Sequence, residues 1–138
     1  MTLTLSLSVS LYLGNRFLPF GFYQYTITSD TDRTLPATEA IHGMTLTAPY
    51  ASTAAPTKEW WSNMTTFLDG AAAAGFRVNF QLIAFEKLGN DAATLANLTA
   101  QIKTFKDHPA VMAWYLADEP SGQGIANTSL MPKYEVLA

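Results

Sequence analysis

The stretch that most constrains this chain is His108 to Pro120, HPAVMAWYLADEP. Val111 to Ala117 is an almost unbroken apolar run, with Pro109 before it and Asp118-Glu119-Pro120 after it. A run this short, punctuated at both ends, suits a strand covered on both faces, as in a parallel sheet. A buried helix of the same composition is the alternative, but the length and the flanking prolines favour the strand. Pro120 disfavours helical angles at the residue before it, which predicts an extended Glu119 in the strand's last step. Two adjacent carboxylates, Asp118 and Glu119, are thereby delivered to the carboxyl end of a buried parallel strand, where α/β proteins place their chemistry.

The rest of the chain can support such a strand. It has 138 residues, enough for one domain with a real core. Apolar residues make up 49% and charged residues 14%, the balance of a folded protein with much buried surface. A net charge of −3 argues against nucleic acid or an anionic membrane as partner. With no cysteine, disulfides and thiolate metal sites are excluded. No run is long and apolar enough to span a bilayer. The N-terminus, MTLTLSLSVSLYLG, lacks a basic residue before its apolar part and carries Ser or Thr at every second place from Thr2 to Ser10, unlike a signal peptide. Localisation stays open, because the sequons at Asn63, Asn97 and Asn127 are permissive for secretion and common by chance.

Leu3, Leu5, Leu7, Val9, Leu11 and Leu13 alternate with Thr, Ser and Tyr, the pattern of a strand with one apolar face. Gly14-Asn15 predicts a turn and Arg16 to Phe20 a returning strand. Such a hairpin is marginal alone and needs a surface to pack on, as part of a flanking β-module or as a lid on a larger fold. Pro19 to Thr26 reads as the next strand, and Leu35 to His42 as a short helix capped by Thr34 and closed by Gly43. Met44 to Pro49 is a further strand. Lys58 to Ala74 is the clearest helix, with Trp60, Trp61, Met64, Phe67, Leu68, Ala71 and Ala72 in one stripe, Thr57 as cap and Gly75 as stop. Arg77 to Phe85 reads as a strand, and Leu95, Leu98, Ile102 and Phe105 mark a helix beginning near Asp91. After Pro120 a Gly-containing loop leads to MPKYEVLA, the first turn of another helix.

Alternating short strands and helices predict an α/β fold with a parallel sheet and right-handed crossovers. About four β/α units amount to half of a (β/α)8 barrel, which typically needs about 250 residues. An open four-stranded sheet is the alternative. It would usually carry a Gly-rich crevice motif after its first strand, and SDTDRT stands there instead.

HPAVMAWYLADEP resembles the fourth-strand motif of the (β/α)8-barrel glycoside hydrolases of the large retaining clan. There an Asn-Glu or Asp-Glu pair, often followed by Pro, ends strand four. GNRFLPFGFYQYT is similar to the lead-in to the first barrel strand, and EAIHGMTLTAPY to the helix-to-strand passage that forms strand two. Together these pieces run from residue 14 to residue 120. The resemblance implies a partial TIM barrel over 18–138, the N-terminal half, preceded at 1–17 by a hairpin or the remnant of a β-module. It implies hydrolysis of O-glycosyl bonds in a carbohydrate substrate, with no cofactor and no metal. Glu119 matches the general acid/base. Asp118 matches the preceding residue, usually Asn in the clan, which contacts the sugar 2-hydroxyl; the Asp here is a departure that bears on that contact. The clan's nucleophile is a Glu ending strand seven, and no residue here matches it.

Retaining glycosidases need two carboxyl groups about 5–5.5 Å apart, one as nucleophile and one as acid then base. Neighbours on a strand point to opposite faces, so Asp118 and Glu119 are not that pair. Glu119 could protonate a leaving oxygen if burial and its like-charged neighbour raised its pKa. Without a second carboxylate it would not complete turnover, so the chain is expected to be a fragment, inactive by itself. Tyr25, Tyr50 and Phe85 end three strands and could stack on a sugar or pack under loops. Trp114, Trp60 and Trp61 read as core. Glu86 directly follows the strand that Phe85 ends and could reach the cleft, but Glu86-Lys87 is more simply a solvated pair. A metal site from His42, Glu86, Asp118 and His108 would require those groups to converge, whereas His108 begins the strand that Asp118 ends. The reading from a different class is a non-catalytic half-barrel that binds carbohydrate or assembles with a partner half. Its exposed strand edges would favour self-association.

Overall fold

The structure, a computed structural model, describes residues 10–12, 15–17, 21–24, 43–49 and 51–138. Strands β1 (Ser10–Tyr12) and β2 (Asn15–Phe17) pair antiparallel, with Tyr12 opposite Asn15. The predicted hairpin is therefore present. The remainder of its long first strand, at residues 1–9, lies outside the described residues, as does the predicted helix over 35–42.

Strands β3 (Gly21–Gln24), β4 (Leu46–Pro49), β5 (Arg77–Gln81) and β6 (Val111–Tyr115) form one sheet in the order β3-β4-β5-β6, parallel at every step. Order in the sheet follows order in the chain, with no reversal. That is how a barrel is laid down, and it lacks the switch point of a doubly wound sheet. Helix α1 (Lys58–Ala73) links β4 to β5, α2 (Ala92–Phe105) links β5 to β6, and α3 (Asn127–Leu137) follows β6. A single 3-10 turn, Ile83–Phe85, comes directly after β5.

Local chemistry explains the first two helices. Thr57 accepts the Trp60 N–H (3.1 Å) at the start of α1, and Met64, Phe67, Leu68 and Ala71 bury its inner stripe. At its end the Phe76 N–H reaches the Ala71 carbonyl and the Gly75 N–H the Ala72 carbonyl, a Schellman closure. The closure places Gly75 at φ +77°, a conformation that L side chains avoid. Asp91 caps α2 by accepting from the Ala93 and Thr94 N–H groups and the Thr94 hydroxyl. The Thr94 hydroxyl is the chief cause holding the Asp91 carboxyl below its ordinary 3.8.

The strands are shorter than the apolar runs predict. β4 begins at Leu46 and not Met44; β5 ends at Gln81 and not Phe85; β6 ends at Tyr115 and not Ala117. Pairing is the reason. The β5–β6 ladder makes one further bond, from the Leu82 N–H to the Tyr115 carbonyl (2.6 Å), and then β5 turns away into the 3-10 turn. A strand ends where its partner leaves it, whatever its hydrophobicity.

The core lies between the sheet and α1 and α2. Phe67, Leu68, Phe76, Val78, Phe80, Leu82, Phe85, Leu98 and Ala110 are fully or almost fully buried. Phe80 is central: its ring stacks on Phe105 of α2 at 5.7 Å and lies 5.1 Å from Trp114 of β6. Trp60 and Trp61 meet edge to face (4.8 Å) at the margin of the same cluster, where the Trp60 indole N–H bonds the Ala51 carbonyl (2.8 Å). All three tryptophans pack on the core, as their positions predict.

Helix α3 begins at Asn127, before the predicted start, and carries Pro132 inside it. An interior proline costs a helix about 3 kcal/mol. Tertiary anchoring offsets this. Leu130 and Lys133 are buried, and the Lys133 ammonium donates to the Leu88 carbonyl (2.7 Å), the Asn90 side-chain oxygen (2.8 Å) and the Ser129 carbonyl (2.8 Å). Burial pushes the Lys133 ammonium below the ordinary lysine value of 10.5, with Asp91 acting weakly the other way. The unfolded chain then holds the proton more tightly than the folded one, so this group's contribution to stability rises with pH from its folded pKa up to 10.5.

Two outcomes follow for stability. Phe80→Ala should lower the unfolding free energy by about 3–5 kcal/mol in a urea titration, the scale of emptying a buried aromatic site. Lys133→Met should abolish the alkaline rise: the stability difference between the parent protein and the variant grows in favour of the parent as pH approaches 10.5. Parallel profiles would mean that Lys133 titrates alike in both states.

Candidate functional site

Because β5 and β6 run parallel and in register from Asn79 opposite Ala113 to Gln81 opposite Tyr115, their carboxyl ends lie side by side. The segments that leave those ends carry Glu86 and Asp118-Glu119. Glu86 follows the 3-10 turn, with its N–H on the Ile83 carbonyl (3.1 Å), and is only 8% exposed. Its Oε2 accepts the backbone N–H of Asp118 (3.0 Å), 32 residues further along the chain. The expectation of a solvated Glu86-Lys87 pair is therefore wrong. Tertiary folding turns the Glu86 carboxylate toward a backbone N–H three residues beyond the end of β6.

Asp118 is held at three points. Its N–H is on Glu86, its carboxylate accepts the Tyr115 hydroxyl (2.6 Å), and its carbonyl accepts the Gln123 side-chain amide (2.6 Å). Beyond it the loop closes on itself: the Gln123 N–H bonds the Glu119 carbonyl, the Gly124 N–H the Ser121 carbonyl and the Ile125 N–H the Pro120 carbonyl.

Glu119 differs from expectation in two respects. It is not extended but left-handed, with φ +43°, the one non-glycine residue with positive φ among the described residues. It is also exposed, so the burial that would tune it as an acid is not supplied by the described residues. Pro120 does limit its neighbour's angles, but the hydrogen bonds of the 118–125 loop select the left-handed well over the extended one. Such strain persists where the surroundings over-determine it and recurs at functional sites. The Gly122 side of the loop faces Glu119: a side chain there would come within 3.9 Å of the Glu119 Oε2.

Of the other predicted site residues, Tyr25 and Tyr50 lie outside the described residues, as does His42. Phe85 is fully buried in the core, which leaves it no face for a sugar. His108 lies at the other end of β6, where it meets Asp69 of α1 (3.2 Å), so it does not join Asp118. Among the described residues no three His, Asp or Glu side chains converge as metal ligands. An open cavity of about 470 Å³ lies beside the loop, lined by Glu86, Lys87, Leu88, Gln123, Ile125 and Ser129 among others. Neither Asp118 nor Glu119 lines it, so the candidate site is placed at Glu119 and not in this cavity. The sequence allows Glu86 to reach the cleft but makes a solvated pair with Lys87 the simpler reading, so Glu86 was not placed among the site residues. Its one sequence signal is an acidic residue a few places past the end of a buried parallel strand.

A parallel α/β sheet laid down in chain order, with carboxylates at its carboxyl end, defines a barrel-type α/β protein. Its likeness to solved structures agrees. A glycoside hydrolase family 5 protein from Bacteroides vulgatus ATCC 8482 superposes with a TM-score of 0.61 at 14% identity, covering 95% of this chain and 36% of that one. A second structure, described as a glycoside hydrolase, gives 0.58 at 15% identity, covering 95% and 37%. The chain thus matches part of a family 5 TIM barrel and spans little more than a third of the length of those proteins. At these identities the likeness is one of fold. No protein-family model matches the chain, and no curated protein matches it.

The strain at Glu119 can be measured. Glycine normally costs about 0.5–1 kcal/mol relative to alanine through chain entropy, whereas a left-handed residue with a Cβ costs about 1–2 kcal/mol. Glu119→Gly should therefore equal or exceed Glu119→Ala in stability, the reverse of the usual order. An alanine variant clearly more stable in urea would show that the left-handed conformation is not retained.

Proposed function

We propose that this chain is the N-terminal part of a glycoside hydrolase-like (β/α)8 barrel, with residues 18–138 providing its first four β/α units and Glu119 its general acid/base. The observation that carries this reading is a single one. The loop that bears Glu119 leaves the carboxyl end of a parallel strand in a fold similar to that of family 5 glycoside hydrolases, and it is held there in a strained conformation. The Asp-Glu-Pro motif adds the chemical identity: a carboxyl group that would protonate the glycosidic oxygen and later deprotonate water.

In this reading the substrate is a carbohydrate, and Tyr25 and Tyr50, which directly follow β3 and β4 in sequence, would stack on it. Asp118 takes a modified role. Its carboxylate is engaged by the Tyr115 hydroxyl, so any contact with a sugar hydroxyl shares the carboxylate with that bond. The nucleophile would be supplied by a later strand, with which Glu119 would form the pair that retaining hydrolysis requires. The exposure of Glu119 fits this arrangement, since further barrel units would bury it.

The second reading is a half-barrel that assembles with a partner. One observation favours it: β6 is one of the two edge strands of the described sheet, and Met112 on it is 40% exposed. The coding sequence beyond Ala138 separates the two. Further strand-helix units ending in a Glu on the seventh strand support the enzyme, while a stop codon and a folded oligomer support the assembly module.

In the longest product of the open reading frame, Glu119→Gln should lower hydrolysis of aryl glycosides by roughly 10²-fold or more, the scale of losing a general acid. Unchanged turnover removes Glu119 from the mechanism. The 138-residue chain alone should show no turnover, and robust activity from it would refute the proposal of a missing nucleophile.

A further inference from the structure

We propose that Glu86 is a positioning residue for Glu119: its carboxylate, planted at the end of β5, sets the backbone of Asp118 and so aims the carboxyl group that follows. This rests on the reading of Glu119 as acid/base and deepens it.

The geometry is specific. Glu86 is 8% exposed, and its Oε2 accepts the Asp118 N–H at 3.0 Å. Burying a carboxylate costs several kcal/mol unless donors satisfy it, and among the described residues the donor to Glu86 is this main-chain N–H. That N–H belongs to the residue just before the strained Glu119. Asp118 lies three residues beyond the end of β6, outside the ladder, and Glu86 supplies the acceptor for its N–H. Charge-assisted bonds of this kind are about twice as strong as neutral ones.

Glu86 is itself braced. Two residues further on, the Leu88 carbonyl accepts from the buried Lys133 ammonium, which also binds Asn90. The 3-10 turn fixes the near side through the bond from the Glu86 N–H to the Ile83 carbonyl. The Tyr115 hydroxyl then holds the Asp118 carboxylate and prevents rotation about the pinned N–H. Glu119 thus inherits its direction from an acidic residue in the segment that follows the neighbouring strand.

What Glu86 contributes is an acceptor at a set place, which glutamine retains and alanine does not. In the longest product of the open reading frame, Glu86→Ala should lower kcat about tenfold to 10²-fold with KM within about twofold, and Glu86→Gln should restore kcat to within about threefold of the parent, because misplacement acts on the chemical step and not on binding. In the 138-residue protein, Glu86→Ala should speed hydrogen exchange at the Asp118 amide by about tenfold or more while amides in β4 and α1 are unchanged, as for one local opening. Loss of folding in the alanine variant leaves a direct measurement on the unsubstituted protein, the through-hydrogen-bond NMR coupling between the Asp118 amide nitrogen and the Glu86 carboxyl carbon. Absence of that coupling overturns the proposal, as does a kcat unmoved by Glu86→Ala in an enzyme that Glu119→Gln disables. If Glu119→Gln has no effect, it is the acid/base reading that fails, and the coupling still reports whether Glu86 holds the loop.

Discussion

Phe80 is the side chain on which the described layers depend. It sits fully buried on β5, between two other strands of the sheet, and its ring contacts both Phe105 of α2 and Trp114 of β6. One residue therefore fixes sheet to helix and strand to strand. A parallel pair gains slightly less per residue from its ladder than an antiparallel one, so side-chain packing across it carries more of the work of holding register. That register brings Gln81 beside Tyr115 and lets two loops leave from one place. The encounter of Glu86 with Asp118 is a consequence of packing several residues away in the core.

The two loops are then built by different means. The one after β5, residues 82–91, is tied down by an ammonium ion from α3. The one after β6, residues 116–126, is closed by its own main chain, with Gln123 bonding twice to the residues it follows. The strained residue, Glu119, stands at the junction of the tethered and self-closed parts. Rigid elements on either side and strain in the middle are what a positioned side chain requires, because a flexible loop would relax the strain. Pro132 fits the same view: α3 tolerates it because Lys133, the next residue, is needed where it is.

The bounds of α1 and α2 were legible in the sequence to within a residue or two, whereas α3 begins four residues before its predicted start. Thr57, Gly75 and Asp91 act as caps and stops through bonds to residues three or four places away, and such local bonds leave a local pattern. The parallel sheet was legible through its alternation with those helices. Strand ends were not. Ala117 and Phe85 continue apolar runs but leave the ladder, since hydrophobicity records burial and not pairing. The conformation of Glu119 was misjudged for a related reason: the proline rule describes an isolated dipeptide, and four hydrogen bonds in the folded loop outweigh it. Glu86 was read as half of a solvated pair in preference to a cleft residue because a Glu-Lys pair looks the same in sequence whether it faces water or a neighbouring segment.

By itself the sequence determined the alternating elements, the helical stripes that make the core, and an Asp-Glu-Pro shortly after an apolar strand; it did not determine that strand's burial, since β6 is half-buried with Met112 exposed and not covered on both faces as its apolar run predicts. Those features are properties of short windows, set by backbone preference and by the period at which apolar residues recur. Only the tertiary structure decided where strands stop, that Glu86 is buried against Asp118, that Lys133 holds the neighbouring loop, and that Glu119 is left-handed. Each of these depends on groups brought together from distant parts of the chain, 32 residues apart for Glu86 and Asp118 and 45 for Lys133 and Leu88. No local preference encodes a contact of that separation; the packing of the sheet against its helices does.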